Sequence, residues 1–276
     1  MPDFTPVGSL LDSVLGAGVP TPAPAAAPGA LLSGLPALDG LTGGWRAGEL
    51  VLVTGAPGAG KSALLYAQAL HASAAGARVA LAPLKHTERI CLWRLTSALA
   101  GVELQGLMRG DLALAARDAI AAAAERLGRL PLHLMMRAEP TVEDVAEEAL
   151  RLHRTQPLAL LAVDGVQALG VRGEEAEPMP RLARLAHVAL ALREVARTLD
   201  VPLLASLGPE GDVERLASAA DRVLHVGAAD GRTGIATLEL RQDGAALGTA
   251  RLRFDARHLR FAPAVEESAP PPQPPD

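Results

Sequence analysis

The sequence predicts an α/β fold with a mostly parallel central sheet, flanked by helices, and an antiparallel hairpin at its end. Short apolar runs alternate along the chain with longer segments of helical periodicity, which is typical of a parallel sheet covered by helices. Several runs are almost continuously apolar, as strands buried on both faces are. The last part of the chain instead has two strand-like runs separated by a short glycine-containing turn, which predicts the hairpin.

The individual elements follow from these patterns in chain order. The predicted parallel strands are 49–55, 78–83, 130–136, 158–164, 201–206 and 222–226. The predicted helices between them are Ser62–Ala75, Glu88–Ala100, Leu112–Leu127, Val142–Arg154 and Arg181–Leu199. Thr141 precedes one of these helices and Asp144 follows three residues later, so we expect a capping box there. The segments 234–244 and 248–255 are predicted to form the closing hairpin.

Both ends of the chain differ in composition from the middle. Residues 1–30 are predicted to hold a short helix and a linker, because Ser9–Gly16 has leucines at helical spacing and 20–30 is rich in Pro and Ala. Two helical turns are marginal alone, so this segment is either a docking helix or a frayed tail. Residues 264–276 are predicted to be a disordered Pro-rich tail, which leaves 31–263 as one domain.

Composition and charge exclude several classes of protein. The formal net charge is −5, which argues against a broadly basic surface for nucleic acid. Cys91 is the only cysteine in the chain, so an intrachain disulfide is excluded. Charged residues interrupt the apolar stretches well short of a membrane span, and the N-terminal residues do not resemble a signal peptide. We therefore expect a soluble, cytoplasmic protein with no membrane partner.

A glycine-rich segment directly follows the first predicted strand and matches the phosphate-binding pattern G-x-x-x-x-G-K-[ST] in full. Its residues are Gly55, Ala56, Pro57, Gly58, Ala59, Gly60, Lys61 and Ser62. The glycines allow successive backbone N–H groups to point at phosphate oxygens, and the following helix adds the positive end of its dipole. We expect Lys61 to reach the β- and γ-phosphates of ATP and the Ser62 hydroxyl to ligate Mg²⁺. The alternative is a glycine-rich turn that holds no ligand.

A phosphate loop of this kind needs a carboxylate to complete the metal shell. The apolar run LALLAVD ends in Asp164, downstream of the loop, where such a carboxylate is expected. We therefore predict that Ser62 and Asp164 hold Mg²⁺ and that ATP and Mg²⁺ are the cofactors. The histidines lie apart without the spacing of metal ligands, so no further metal site is predicted.

Several longer segments resemble one protein family. They are SGLPALDGLTGGWRAGELVLVTGAPGAGKS (33–62), VDGVQAL (163–169), VPLLASLG (201–208), ASAADRVLHV (217–226) and DGAALGTARLRFD (243–255). Over about Leu31 to Ala262 the chain is similar to the C-terminal ATPase domain of DnaB-type replicative helicases, within the RecA-like superfamily. The resemblance implies a RecA-like ATPase domain over 31–263 that hydrolyses ATP. RadA-type repair ATPases share much of this core and are the alternative within the superfamily.

The same resemblance implies candidate partners. Relatives of this kind act on single-stranded DNA and form rings, so single-stranded DNA, a homo-oligomer or a replication or repair protein are the candidates. The loop expected to face DNA, 170–181, carries more acidic than basic residues, which argues against tight DNA binding. Its alternative role is that of a solvated loop.

The catalytic centre departs from the family's pattern. Alignment of 79–95 on the family's second strand places Lys85 where the family has the glutamate that polarises the attacking water. An ammonium group has no lone pair to accept a proton, so Lys85 cannot act as a general base. We expect Lys85 to pair instead with the γ-phosphate or with Asp164. Glu88 is either a substitute base or a solvated carboxylate at a helix N-terminus.

Two further positions differ, and together the departures leave two functions open. The segment 206–211 offers no glutamine to sense phosphate, and the hairpin positions of two basic family residues align with Leu240 and Gln242. A register shift of one residue would put Arg241 there instead. The chain is therefore either a DNA-linked ATPase with weak hydrolysis, or a catalytically degenerate paralogue that binds nucleotide and acts as a regulatory or binding partner.

Overall fold

A single ten-stranded sheet runs through the part of the chain that the computed structural model describes, residues 4–7, 30–173, 179–208 and 216–264. Its strands are β1 (Phe4–Pro6), β2 (Leu50–Thr54), β3 (Val79–Ala82), β4 (Leu132–Met135), β5 (Leu160–Asp164), β6 (Leu203–Ser206), β7 (Arg222–Val226), β8 (Ile235–Gln242), β9 (Ala245–Asp255) and β10 (Arg260–Pro263). Their spatial order is β1-β4-β3-β5-β6-β2-β7-β8-β9-β10. The six strands from β4 to β7 in this order are parallel, as predicted.

Helices cover both faces of this sheet. Those in the described ranges are α1 (Pro36–Thr42), α2 (Lys61–Ala74), α3 (Glu88–Ala100), α4 (Leu104–Arg109), α5 (Leu114–Gly128), α6 (Val142–Thr155) and α7 (Arg181–Leu199). The five long helices confirm the predicted ones, whereas α1 and α4 are too short to show a helical period in the sequence. The predicted capping box of α6 is present: Thr141 and Asp144 exchange side chain–backbone hydrogen bonds of 2.8 and 3.2 Å.

The central strands are buried on both sides, which explains their continuous apolar sequence. In β2, Val51 and Val53 pack into one core with residues of α2 and α3. Leu50 and Leu52 pack into a second core with residues of α6 and α7. Successive side chains of a strand point to opposite faces, so an all-apolar strand can serve two cores at once.

Both edges of the sheet carry a strand that the sequence did not predict. At one edge β1 pairs antiparallel with β4, with Phe4 opposite Met135. At the other edge β10 pairs antiparallel with β9. Strands of three and four residues are too short for a period of two to stand out from chance. The predicted helix at Ser9–Gly16, most of the predicted linker and nearly all of the predicted tail lie outside the described residues.

The closing hairpin is confirmed, with a tighter turn than predicted. β8 and β9 are joined by Asp243 and Gly244, which both have positive φ (50° and 81°), as a two-residue hairpin turn requires. A bulge between Leu240 and Arg241 leaves Leu247 without a partner across the pair. Leu240 is buried and Arg241 exposed, so the basic side chain at this place lies on the surface.

One carboxylate ties the start of β7 to the core of the sheet and to α7. Asp221 accepts a 2.9 Å hydrogen bond from the backbone N–H of Leu50. It also accepts bonds of 2.9 and 2.6 Å from the guanidinium of Arg193. Both of these bonds end on Oδ1, and charge-assisted hydrogen bonds are among the stronger polar interactions in proteins. Asp221 thus fixes β7 beside β2.

We predict that Asp221→Ala lowers the free energy of unfolding by about 2–3 kcal/mol, because it leaves the Leu50 N–H and the Arg193 guanidinium without their acceptor. Urea denaturation measures this loss. Asp118→Ala is the matched control, since it removes an exposed aspartate of α5. Equal stability of the two variants would contradict the role assigned to Asp221.

Candidate functional site

The predicted phosphate loop connects β2 to α2. Gly55, Gly58 and Gly60 all adopt positive φ angles, of 137°, 80° and 103°. A Cβ atom on Gly55 would lie 2.2 Å from the carbonyl oxygen of Val226, so a side chain there is excluded by backbone. Gly60 is the N-cap of α2, so the loop ends where the helix presents its unpaired N–H groups. This is the conformation that a loop for phosphate groups needs.

Lys61 lies across this loop. Its ammonium group donates hydrogen bonds to the carbonyl oxygens of Gly55 and Ala56, the latter at 2.8 Å. The residue is 8% exposed, so its charge is held close to the loop. A cation within a curl of backbone N–H groups is suited to binding an anion.

Two phenylalanines support the loop from behind, a contact that the sequence analysis missed. Phe254 of β9 and Phe261 of β10 stack with ring centroids 4.6 Å apart. A Cβ atom on Gly60 would lie 2.9 Å from the Phe261 ring and 3.1 Å from the Phe254 ring. Because the chain has three phenylalanines in all, two on the last strands were a signal for such packing. The last two strands therefore pack directly against the phosphate loop, although they lie far from it in the sequence.

Asp164 ends β5 beside the loop and is fully buried. Its Oδ1 atom accepts hydrogen bonds from the Ser62 hydroxyl at 2.8 Å and from the Ser206 hydroxyl at 2.6 Å. Ser206 lies opposite Asp164 on the neighbouring parallel strand β6. The structure thus brings together the two predicted metal ligands, Ser62 and Asp164. Ser206 was missed, because a serine at the end of an apolar run has no distinctive pattern.

The second carboxylate oxygen of Asp164, Oδ2, has a different environment. Among the described residues, Oδ2 is buried without a hydrogen-bond partner. Buried polar atoms are nearly always satisfied, and an unsatisfied one in a cleft indicates a missing ion or water. A carboxylate and a hydroxyl are the oxygen ligands that Mg²⁺ prefers. The residues present therefore fit a magnesium ion held by Ser62 and Asp164.

Lys85 lies beside the Asp164 carboxylate, which is one of the two partners expected for it from the sequence. Its Nζ atom is 3.9 Å from Asp164 Oδ1. Its aliphatic stem packs over Gly165, where a Cβ atom would lie 2.6 Å from Lys85 Cε and 2.7 Å from Cγ. The backbone N–H of Leu84 also donates to the Asp164 carbonyl at 3.1 Å, which holds the segment against β5. Lys85 is thus an ion-pair partner of Asp164.

His86 adds a second nitrogen on the other side of the carboxylate. Its Nδ1 atom is 3.6 Å from Asp164 Oδ2 and 3.2 Å from the hydroxyl of Tyr66. Burial lowers the pKa of His86, and the nearby charges of Arg94 and Lys85 lower it further, while Asp164 acts in the opposite direction. The lowered pKa favours the neutral form of the imidazole beside Asp164.

Glu88 is the first residue of α3 and is partly buried. A carboxylate at the first residue of a helix is stabilised by the helix dipole. The contacts recorded for Asp164 come from Ser62, Ser206, Lys85 and His86. A role for Glu88 as a substitute base stays a prediction.

In the loop expected to face DNA, the described residue Arg172 forms ion pairs with acidic residues of α6. Arg172 places its guanidinium 2.7 Å from Glu147 and 3.3 Å from Asp144. Residues 174–178 of this loop lie outside the described residues. Within the described ranges, no group of three or more His, Cys, Asp or Glu residues is arranged to hold a metal. None of the helices there has the length and apolar character to cross a membrane.

Known proteins resemble this chain along most of its length. A family model described as "DnaB-like helicase C terminal domain" matches residues 30–209. The replicative DNA helicase DnaB of Treponema pallidum (strain Nichols) is 28% identical over 245 residues, which is 84% of this chain and 55% of that protein. DnaB of Geobacillus stearothermophilus is 24% identical over 174 residues, 63% of this chain and 38% of that protein. The chain spans about half the length of these curated relatives, or less.

Solved structures show the same fold. The structure described as "ATPase Domain of G40P" has a TM-score of 0.75 and 19% identity, over 93% of this chain and 96% of that one. A DnaB-like replicative helicase, solved in a study of its interactions with primase, has a TM-score of 0.75 and 20% identity over 86% of this chain and 65% of that one. The fold is RecA-like, and the family match spans more than half of the sequence. The chain therefore belongs to the family of DnaB-like helicase C-terminal domains.

Proposed function

We propose that this chain is a DnaB-like ATPase domain, linked to DNA replication, that binds ATP with Mg²⁺ and hydrolyses it slowly. The observation that carries the proposal is the 2.8 Å hydrogen bond between the Ser62 hydroxyl and Asp164 Oδ1, directly beside the phosphate loop. It joins the two oxygen ligands that a loop of this type uses for its metal. Membership of the family supports the link with replication.

Different residues of the site would bind the phosphates and the metal. The backbone N–H groups of the loop and the ammonium of Lys61 would bind the phosphates, and Ser62 and Asp164 would hold Mg²⁺. The metal, when bound, would neutralise phosphate charge and act as a Lewis acid. Lys61 is already positioned over the loop by its bonds to two loop carbonyls.

Hydrolysis is expected to be slow, because the side chain at the place of the family's base is a lysine. The Lys85 ammonium cannot accept a proton from water, and it is occupied by its ion pair with Asp164. This same ion pair favours the second candidate function, a catalytically degenerate paralogue that binds nucleotide as a regulatory or binding partner. Nucleotide binding is common to both functions.

The partners that we propose follow from the family and from the charges of the surface. A homo-oligomer, or a complex with a replication or repair protein, suits a DnaB-like domain. Binding of single-stranded DNA has less support, because Arg172 is engaged by Glu147 and Asp144. A RadA-like repair ATPase also has less support, because the RadB recombinase structure has a TM-score of 0.52 against 0.75 for the DnaB-like helicase.

We predict that Lys61→Ala abolishes binding of ATP with Mg²⁺, because it removes the cation that lies over the loop. Equilibrium titration with a fluorescently labelled ATP analogue measures this. Arg117→Ala, which removes an exposed cation of α5, is the control and should bind as the wild type does. Equal binding by wild type and Lys61→Ala would show that the site is elsewhere.

A second prediction concerns the missing base. General-base catalysis typically contributes about 10²–10⁴-fold to a rate, so Lys85→Glu should raise ATP turnover, though not to the level of a complete site. If Glu88 acts as the base, Glu88→Ala should abolish the remaining wild-type turnover, whereas the exposed Glu125→Ala should not change it. Phosphate release under saturating ATP measures both. Rapid wild-type turnover that survives Glu88→Ala and falls in Lys85→Glu would contradict the assignment of Lys85.

A further inference from the structure

Lysine is confined to the nucleotide site in this chain. Of 26 Lys and Arg residues, two are lysines, Lys61 and Lys85. Lys61 lies over the phosphate loop, directly before Ser62, and Lys85 lies 3.9 Å from Asp164. Everywhere else the sequence uses arginine for positive charge. An ammonium is a compact point charge, whereas a guanidinium is a wide planar fork, so these two places carry a more compact cation than the arginines elsewhere.

The backbone around Lys85 is shaped to hold that cation in place. Gly165 has φ = +103°, and a Cβ atom there would collide with three carbons of the Lys85 stem. The hydrogen bond from Leu84 to the Asp164 carbonyl fixes the segment that precedes the lysine. The Lys85 side chain is 28% exposed, so its ammonium is held at the border between the buried carboxylate and solvent. A charge fixed in this way needs little reorganisation when an anion arrives.

The position of Lys85 changes the balance of charge at the metal site. A loop with Lys61 and Asp164 alone would be neutral and would depend on Mg²⁺ to offset the phosphate charge. Lys85 adds one positive charge to this pair. Because Lys85 already supplies positive charge beside Asp164, a divalent ion held by Ser62 and Asp164 would add less to the neutralisation of the phosphates.

We propose that Lys85 takes the place of the metal's charge, so that this site binds a nucleoside triphosphate with little dependence on a divalent cation. The proposal rests on the proposed nucleotide site and goes beyond it, since it concerns what neutralises the phosphates there. Lys61, which is bonded to the loop carbonyls, and Lys85, which lies beside Asp164, act as two cations of this site. Mg²⁺ then adds little to affinity.

The test is a titration of the full chain with a fluorescently labelled ATP analogue, in excess Mg²⁺ and in excess EDTA. For the wild type, the two affinities should agree within about threefold. Lys85→Gln should lose about tenfold or more in EDTA, because a charge-assisted contact is removed, and should regain affinity in Mg²⁺. Arg89→Gln removes an exposed cation of the same segment that lies over Trp93, and should match the wild type in both buffers.

Each outcome decides the proposal. Wild-type affinity that falls by more than about threefold in EDTA overturns it and leaves the nucleotide site intact. A Lys85→Gln variant with wild-type affinity in EDTA overturns it as well. Absence of wild-type binding in both buffers overturns the nucleotide site and this proposal together. Circular dichroism melting shows whether Lys85→Gln is folded; if it is not, the wild-type comparison in the two buffers decides alone.

Discussion

The buried carboxylate of Asp164 is the constraint around which the site is organised. A fully buried ionised group must be compensated by donors and by opposite charge, because its desolvation costs several kcal/mol or more. The order of the parallel strands places hydrogen-bond donors next to this carboxylate. β5, β6 and β2 are neighbours, so the carboxyl ends of three strands meet at one edge of the sheet. They bring Asp164, Ser206 and the phosphate loop together there.

Position 85 cannot serve both the stability of the buried Asp164 carboxylate and the activation of water. A cation there stabilises the buried carboxylate, and removing one partner of such a pair is usually destabilising. A base there would have to be neutral or negative to accept a proton. The chain has the cation, with its stem packed on Gly165. Under the proposed function, the site would keep the residues that bind nucleotide and would lack a base at position 85.

The sequence predicted the elements whose signals are local. The central strands were recognised because burial on both faces makes them continuously apolar, and the phosphate loop because its glycines and lysine stand at fixed spacing. Asp164 followed from its place at the end of such a strand. The sequence could not show that Lys85 reaches Asp164, because that contact depends on how the segment after β3 lies against β5.

Contacts between distant segments were the ones that the sequence did not reveal. Ser206 reaches Asp164 across neighbouring strands, and Phe261 reaches Gly60 from a strand some 200 residues later. Neither pairing leaves a pattern within a window of the sequence. His86 directly follows Lys85, yet its contact with Tyr66 depends on the packing of α2 against the same segment. Tertiary structure alone places these side chains.

The central claim is that the site holds a nucleoside triphosphate and is poorly equipped to hydrolyse it. The most direct measurement is the identity of the bound nucleotide. The full chain would be incubated with radiolabelled ATP and Mg²⁺, with and without single-stranded DNA, separated from free nucleotide at intervals, and the bound label analysed. We predict that the bound label remains ATP over many minutes in both conditions. Prompt conversion of the bound label to ADP would contradict the account.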